Sequence, residues 1–291
     1  MTKIDNTVTI AIIAFQSSKI IEKCIKKIGK KYRILIIDNS YNNETNKKIE
    51  KKYSNCKIIA NENNGYGASA NLASKLVKSK YIFFINPDVF VQKKTISNLI
   101  LSAKLLKDKF AALIPSENNI FKNPKNISET SIIKSSSFFL NRKKFISIGG
   151  FDEKIFLFFE EVDLSLRFKI KNEKIYIIKN SIIKHLGAKS HNKEIDSEVE
   201  MCRNWHYMWS LFYFKKKYDG FLIAYTTTFP KFIKYILKMC IFFFLNKKKY
   251  VNLSARVKGL ISSYINKKSY LRPQINNQLR PQINNQKITA V

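Results

Sequence analysis

Apolar positions in this chain follow two rhythms. Up to about residue 107, short runs rich in Ile, Val, Phe and Tyr alternate with stretches in which apolar residues recur every three or four positions. Runs 8–15, 33–38, 57–60 and 81–85 predict strands, and stretches 19–28, 44–53, 68–78 and 94–107 predict helices. This β-α order predicts an α/β fold with a mostly parallel sheet flanked by helices. Sheets of that kind bind ligands beyond the carboxyl ends of their strands. Four polar segments should meet there: Gln16-Ser17, Asp38-Asn39-Ser40, residues 61–67, and Asn86-Pro87-Asp88.

Regularity then lapses. Residues 115–131 are rich in Asn, Ser and Pro and read as a surface loop. A strand at 136–141 and a Gly149-Gly150 turn follow, then an acidic-aromatic segment to Arg167, a strand at 174–178, and a polar-basic stretch around His185. Beyond Asn192 the pattern becomes helical, most clearly over 194–218 and 221–245. Residues 271–278 and 279–286 are identical copies of Leu-Arg-Pro-Gln-Ile-Asn-Asn-Gln. Two short copies with few apolar residues cannot build a stacked repeat, so they read as a disordered tail. The organisation expected is an α/β domain at 1–191, a helical C-terminal region at 192–266 and a tail at 267–291.

A net charge of +32 first suggests nucleic acid. Only seven of the 53 basic residues are Arg, the side chain suited to bidentate phosphate and base recognition, and the Lys residues are spread along the chain. A solvated basic surface or an anionic membrane surface fits better, and no nucleic-acid partner is expected. Cys24, Cys56, Cys202 and Cys240 have no metal-binding spacing and fit reduced cytosolic thiols. The first apolar run is too short for a signal sequence or a membrane span, so a cytoplasmic location is expected. Residues 221–245 are apolar but broken by Pro230 and interrupted by Lys231, Lys234 and Lys238, which makes a span too costly. The spacing suits either a helix lying on the inner face of the membrane or a helix that packs within the domain or at a dimer interface.

Several segments carry candidate chemistry, each with a plainer structural reading beside it. Asp88 can hold Mg²⁺ or Mn²⁺, or simply end a strand in a turn. Asn64, Gly65 and Asn71 belong to a small-residue loop that lets backbone approach a ligand, or that caps and packs a helix. Residues 151–164 place five carboxylates among aromatic rings, surroundings that raise a pKa toward that of a general base. On a helix Glu160 and Asp163 share a face, while Glu161 points elsewhere and Asp163 can pair with Arg167. His185 is either a metal or phosphate contact or a structural histidine.

Taken in order, these segments resemble the inverting family-2 glycosyltransferases, notably the bacterial rhamnosyltransferase-like branch with a GT-A fold. The resemblance rests on Phe15, the Asp38 turn, Asn64 to Asn71, Asn-Pro-Asp-Val at 86–89, Gly-Gly-Phe-Asp-Glu at 149–153, Glu160-Glu161 with Asp163-Leu164, and His185 with Gly187. It implies that Phe15, Asp38, Asn64, Gly65, Asn71, Asn86 and Asp88 bind a nucleoside-diphosphate sugar of the UDP or dTDP type. It further implies that Asp88 and His185 contact a divalent metal, that Glu161 with Glu160 is catalytic, and that a glycan or lipid-linked oligosaccharide of the cell envelope accepts the sugar. Three positions depart from the family pattern: Glu161 replaces its catalytic Asp, Asn86 its first acidic metal-motif residue, and Ser135-Ser136-Ser137 a frequent glycine.

Overall fold

A computed structural model of the chain describes residues 4–40, 43–117, 126–133, 136–187, 191 and 193–273. These fall into two compact units, one drawn from Met1–Phe151 and Leu164–Asn192, the other from Asp152–Asp163 and Lys193–Leu279. The repeat lies outside the described residues from 274 onward, as does Ser135.

The first unit opens with β1 (Asp5–Ala14), α1 (Ile21–Ile28), β2 (Tyr32–Asp38), α2 (Asn43–Lys52), β3 (Cys56–Ala60), α3 (Tyr66–Leu76) and β4 (Tyr81–Ile85). Its strands run parallel in the order β3-β2-β1-β4, with Ile10 opposite both Ile34 and Phe83. Alternate side chains feed two separate cores. Ile10, Ile12, Ile34, Ile36 and Phe83 pack with Cys24 and Ile25 of α1, whereas Ala11, Ile13, Leu35, Ile37 and Phe84 pack with Ala70 and Ala73 of α3. Covered on both faces, these strands are apolar throughout their inner length, as buried parallel strands are.

Next come β5 (Val89–Val91), α4 (Thr95–Leu105), β6 (Ala112–Ser116), β7 (Ile127–Thr130), β8 (Ser137–Asn141), α5 (Arg142–Ser147), α6 (Glu160–Ile170) and β9 (Ile175–His185). Strand β8 runs antiparallel between β4 and β6, and β9 pairs parallel with β6 and antiparallel with β5 and β7. The result is a mixed α/β fold with a parallel core.

Two differences from the sequence reading matter for the site. Strand β9 does not stop at Ile178 but continues to His185. The polar residues that broke its pattern face outward or are satisfied by neighbours; buried Ser181, for one, donates to the Thr95 carbonyl at 2.8 Å. Part of the expected loop at 115–131 is strand β7, a half-buried edge whose order comes from its pairing with β9.

The second unit is helical: α7 (Asp196–Asp219), α8 (Phe221–Leu245) and α9 (Lys247–Tyr264). Helices α7 and α9 approach closely at Gly259, where a Cβ would lie 2.2 Å from the Trp205 carbonyl oxygen. Pro230 does not end α8; it is exposed, so the backbone bond it cannot make is left to solvent. Residues 267–272, counted with the tail on composition, pack along α7. Trp209 Nε1 donates to the Lys267 carbonyl at 2.9 Å, and the Arg272 guanidinium lies 3.9 Å from the Phe156 ring centre. All four cysteines are free thiols, three of them buried.

Candidate active site

At the carboxyl ends of β1 and β2 the chain turns sharply and leaves a small cleft lined by Gln16, Ser17, Asp38, Ser40 and Asn46. Gln16 reaches this turn through a left-handed backbone conformation, φ 51°. Asp38 is 4 % exposed and its oxygens have distinct partners. Oδ1 accepts from the Ser40 amide at 3.0 Å and from the Ser40 hydroxyl, while Oδ2 accepts from Asn46 Nδ2 at 2.8 Å. Its carboxylate is thereby fixed at the cleft wall. Phe15 precedes the turn, with the Ser17 hydroxyl donating to its carbonyl at 3.1 Å.

The loop after β3 extends the polar edge. Ser69 donates to Asn39 Oδ1 at 2.9 Å, and Asn61 Nδ2 reaches the same oxygen at 3.1 Å. Gly65 starts α3 at φ 101°, a backbone angle that side chains disfavour, and Asn64 beside it is exposed. Asn71 sits one turn into α3 and takes a different position. Its Nδ2 donates to the Phe151 carbonyl at 3.0 Å and its Oδ1 accepts from the Phe151 amide at 2.8 Å. A buried amide thus clamps the Gly-Gly-Phe segment, and Gly150 is required there because a Cβ would fall 2.3 Å from Asn71 Oδ1.

Beyond β4 the chain folds into a turn in which the Val89 amide donates to the Asn86 carbonyl at 3.0 Å. This turn sets Asp88, 1 % exposed, directly before β5. Because Val89 pairs with His185, the turn and the end of β9 come together, with Asp88 Oδ2 3.4 Å from His185 Nε2. On the other ring nitrogen, Nδ1 lies 3.8 Å from Glu117 Oε1, and the Ser136 hydroxyl holds that carboxylate at 3.2 Å. Glu117 carried no motif in the sequence; only the β6–β9 pairing brings it to His185.

One carboxylate oxygen and one imidazole nitrogen at this separation suit neighbouring positions on a small divalent cation, whose adjacent ligands lie about 3 Å apart. No group of three His, Cys, Asp or Glu side chains among the described residues could hold a metal unaided. A two-residue donor set fits a cation that also takes substrate phosphate oxygens, as Mg²⁺ sites commonly do.

The acidic-aromatic segment of the second unit has its own geometry. Phe158 and Phe159 both adopt left-handed backbone angles, φ 67° and 70°, costly for aromatic residues, immediately before Glu160 opens α6. Glu160 is 3 % exposed, and its Oε2 meets no hydrogen-bond donor among the described residues. Burial, reinforced by the neighbouring Glu161 charge, raises the Glu160 carboxyl well above the ordinary range; burial raises Glu161 to about 7. The two form one titrating pair.

Beside them Lys217 of α7 bridges Asp152 Oδ2 at 2.8 Å and Asp163 Oδ1 at 2.5 Å. Tyr213 and Tyr218 donate to the same two oxygens at 2.9 and 2.7 Å. Asp163 belongs to this network, and Arg167 donates to the Ile148 carbonyl at 2.9 Å.

A parallel sheet core with a polar cleft at its carboxyl edge and an antiparallel extension places the first unit in the GT-A class of folds. Residues 9–166 match the family described as Glycosyl transferase family 2, and the chain belongs to that family of glycosyltransferases. Over 212 residues it is 26 % identical to the rhamnosyltransferase WbbL of Escherichia coli (strain K12), covering 59 % of this chain and 80 % of that protein. The crystal structure of GalNAc-T7 with UDP, GalNAc and Mn²⁺ superposes with a TM-score of 0.52 at 14 % identity, which establishes the fold. That match covers 62 % of this chain, which spans 43 % of the other.

Proposed function

We propose that this protein moves one sugar from a nucleoside-diphosphate donor, UDP- or dTDP-linked, to a glycan or lipid-linked acceptor on the cytoplasmic side of the cell envelope, inverting the anomeric centre. The observation that carries this reading is the Asp88–His185 pair at the sheet edge, 3.4 Å apart within a family-2 chain.

In this reading Asp38, held by Ser40 and Asn46, accepts hydrogen bonds from the ribose and base, and Phe15 and Asn64 border the same nucleotide. The Gly65 amide end of α3 and Asn86 bracket the diphosphate, and Asn71 shapes this region through its hold on Phe151. Asp88 and His185 hold Mg²⁺ or Mn²⁺. When bound, that cation neutralises the negative charge of the departing diphosphate. Glu161 removes the acceptor hydroxyl proton as the new oxygen–carbon bond forms opposite the breaking one. A carboxyl raised to about 7 is a stronger base than an ordinary glutamate and is still ionised near neutrality. Glu160, protonated beside it, keeps the pair to a single negative charge.

The test is turnover of UDP-, dTDP- and GDP-sugars with Mg²⁺ or Mn²⁺ by wild type, Asp88→Ala and Glu161→Gln. Turnover of a donor by wild type and its loss in both variants supports the proposal. Variants that match wild type overturn the assignment.

A further inference from the structure

Helix α8 carries an apolar stripe that its own unit leaves open. Leu222, Phe229, Ile233, Leu237, Ile241 and Phe244 are all exposed, Leu237 by 61 % and Phe244 by 86 %. With roughly 100° of turn per residue, these six fall within an arc of about 120°. Lys231, Lys234 and Lys238, also exposed, occupy the adjacent arc. The remaining face packs in the N-terminal half of the helix. Ala224 and Thr228 are buried, Tyr225 and Phe232 lie tilted against Tyr264 of α9, and the Thr228 and Tyr264 hydroxyls lie 3.0 Å apart. The helix thus divides into a face that packs, a face of exposed hydrocarbon and a lysine row at its margin.

Charge identifies what covers the open face. From Gly220 to Pro273 the chain has 11 Lys or Arg residues and no Asp or Glu. A second copy of this chain would set lysine row against lysine row, whereas an anionic surface would be attracted along the whole stretch. The hydrocarbon must be buried too, which a soluble polyanion cannot do. No helix among the described residues is long and apolar enough to cross a membrane. An amphipathic helix of this composition instead lies in the plane of the headgroups.

We propose that α8 seats this protein on an anionic phospholipid bilayer, with the stripe entering the boundary between headgroups and acyl chains and Lys231, Lys234 and Lys238 meeting lipid phosphates. Lys247 and Lys249, exposed at the start of α9, continue the contact. This proposal does not depend on the transferase reading.

The experiment is co-sedimentation of the full chain with vesicles of phosphatidylglycerol and phosphatidylcholine, against vesicles of phosphatidylcholine alone. The chain is expected to pellet with the anionic vesicles and to be partly released by salt. Combined Lys231→Gln, Lys234→Gln and Lys238→Gln should weaken partitioning on the order of a hundredfold. Combined Ile233→Ser, Leu237→Ser and Ile241→Ser should abolish it with the thermal melt unchanged; if that variant misfolds, the lysine variant, confined to exposed side chains, decides alone. Lys104→Gln, Lys107→Gln and Lys109→Gln on the first unit should leave binding intact. Wild type remaining in the supernatant overturns the proposal, as does equal weakening by the two lysine triples. A dimer in analytical ultracentrifugation that the serine variant dissolves, without vesicle binding, assigns the stripe to a second copy instead.

Discussion

Asp88 meets the end of β9 twice, at His185 and at the residue after it. The Asp88 carbonyl accepts from the Leu186 amide at 3.0 Å, and the Asp88 carboxylate lies 3.4 Å from His185 Nε2. The β5–β9 ladder fixes the backbones, so the two side chains need little reorganisation to share a cation. Asp88→Ala should weaken metal-dependent binding of a nucleoside diphosphate by roughly a hundredfold or more, and His185→Ala by less. Glu117→Gln, which acts only through the imidazole, should cost roughly tenfold. Titration calorimetry with and without Mg²⁺ or Mn²⁺ measures all three. Equal losses in the absence of metal would mean that these residues hold the nucleotide directly.

The raised Glu161 carboxyl sets a pH limb. A base must be ionised to act, so kcat/KM should rise through pH about 7 and level off above it. Glu161→Gln should remove both the activity and the limb, whereas Glu161→Asp should keep a limb. Stability runs the opposite way. Both carboxyls are raised in the folded state, so their contribution is fully present below the ordinary value of 4.5 and is lost as pH rises through about 7. Glu160→Gln should accordingly raise the melting temperature at pH 8, with the gain shrinking as pH falls.

Local chemistry made much of this molecule legible, and long-range pairing hid the rest. The strand 81–85 and the helix 221–245 have the expected bounds because an unbroken apolar run and a long three-to-four-residue period each determine one element. Strand β5 was not anticipated, since three residues after a turn carry no periodicity; its order comes from β9. The cleft residues Gln16, Ser17, Asp38 and Ser40 could be read from their position after strands. Glu117 and Lys217 could not, because nothing near either marks a partner distant in sequence. Asn71 was legible as important, but its bonds to Phe151 appear only once α3 and the Gly149-Gly150 turn are brought together.

The Asn71 clamp makes a stability prediction. Asn71→Ala would leave the buried Phe151 amide and carbonyl unpaired, at about 1–3 kcal/mol for each orphaned group. Gly150→Ala would force a Cβ against Asn71 Oδ1 at a left-handed backbone angle, φ 69°, and should also destabilise. Since both disrupt one contact, the double variant should cost less than the two losses added together. Urea unfolding of the four proteins measures the coupling; strict additivity would mean that the clamp is not shared.

Lys217 neutralises two carboxylates with one ammonium. Burial pushes Asp152 upward, yet hydrogen bonds from Lys217 and Tyr213 outweigh it and hold the carboxyl below its ordinary value. Lys217→Met would remove the ammonium shared by half-buried Asp152 and buried Asp163, at a cost of about 3 kcal/mol at neutral pH. Asp152→Asn in the same background should recover part of that loss. Chemical denaturation of both variants checks it, and a Lys217→Met protein as stable as wild type would show that the tyrosine hydroxyls suffice.

His206 makes acid the weak side of the second unit. It is fully buried, stacked on Phe156 with ring centres 4.4 Å apart, its Nε2 2.7 Å from the Leu271 carbonyl and its Nδ1 3.1 Å from the Ser269 hydroxyl. A neutral ring satisfies both contacts by donating to Leu271 and accepting from Ser269. A second proton on Nδ1 would turn the Ser269 hydroxyl from donor to acceptor and set a charge in a buried site, and that burial lowers the pKa from its ordinary 6.5 to about 3. Because the folded value is depressed, the stabilisation is present above pH 6.5 and is lost as pH falls toward 3. The expected slope is about 1.4 kcal/mol per pH unit in that window. Other groups titrate there too, so the informative quantity is the difference between wild type and His206→Gln, which has no titration at this position. Urea unfolding from pH 7 to pH 4 should show the two curves converging as pH falls; parallel curves would mean that His206 is protonated within the fold.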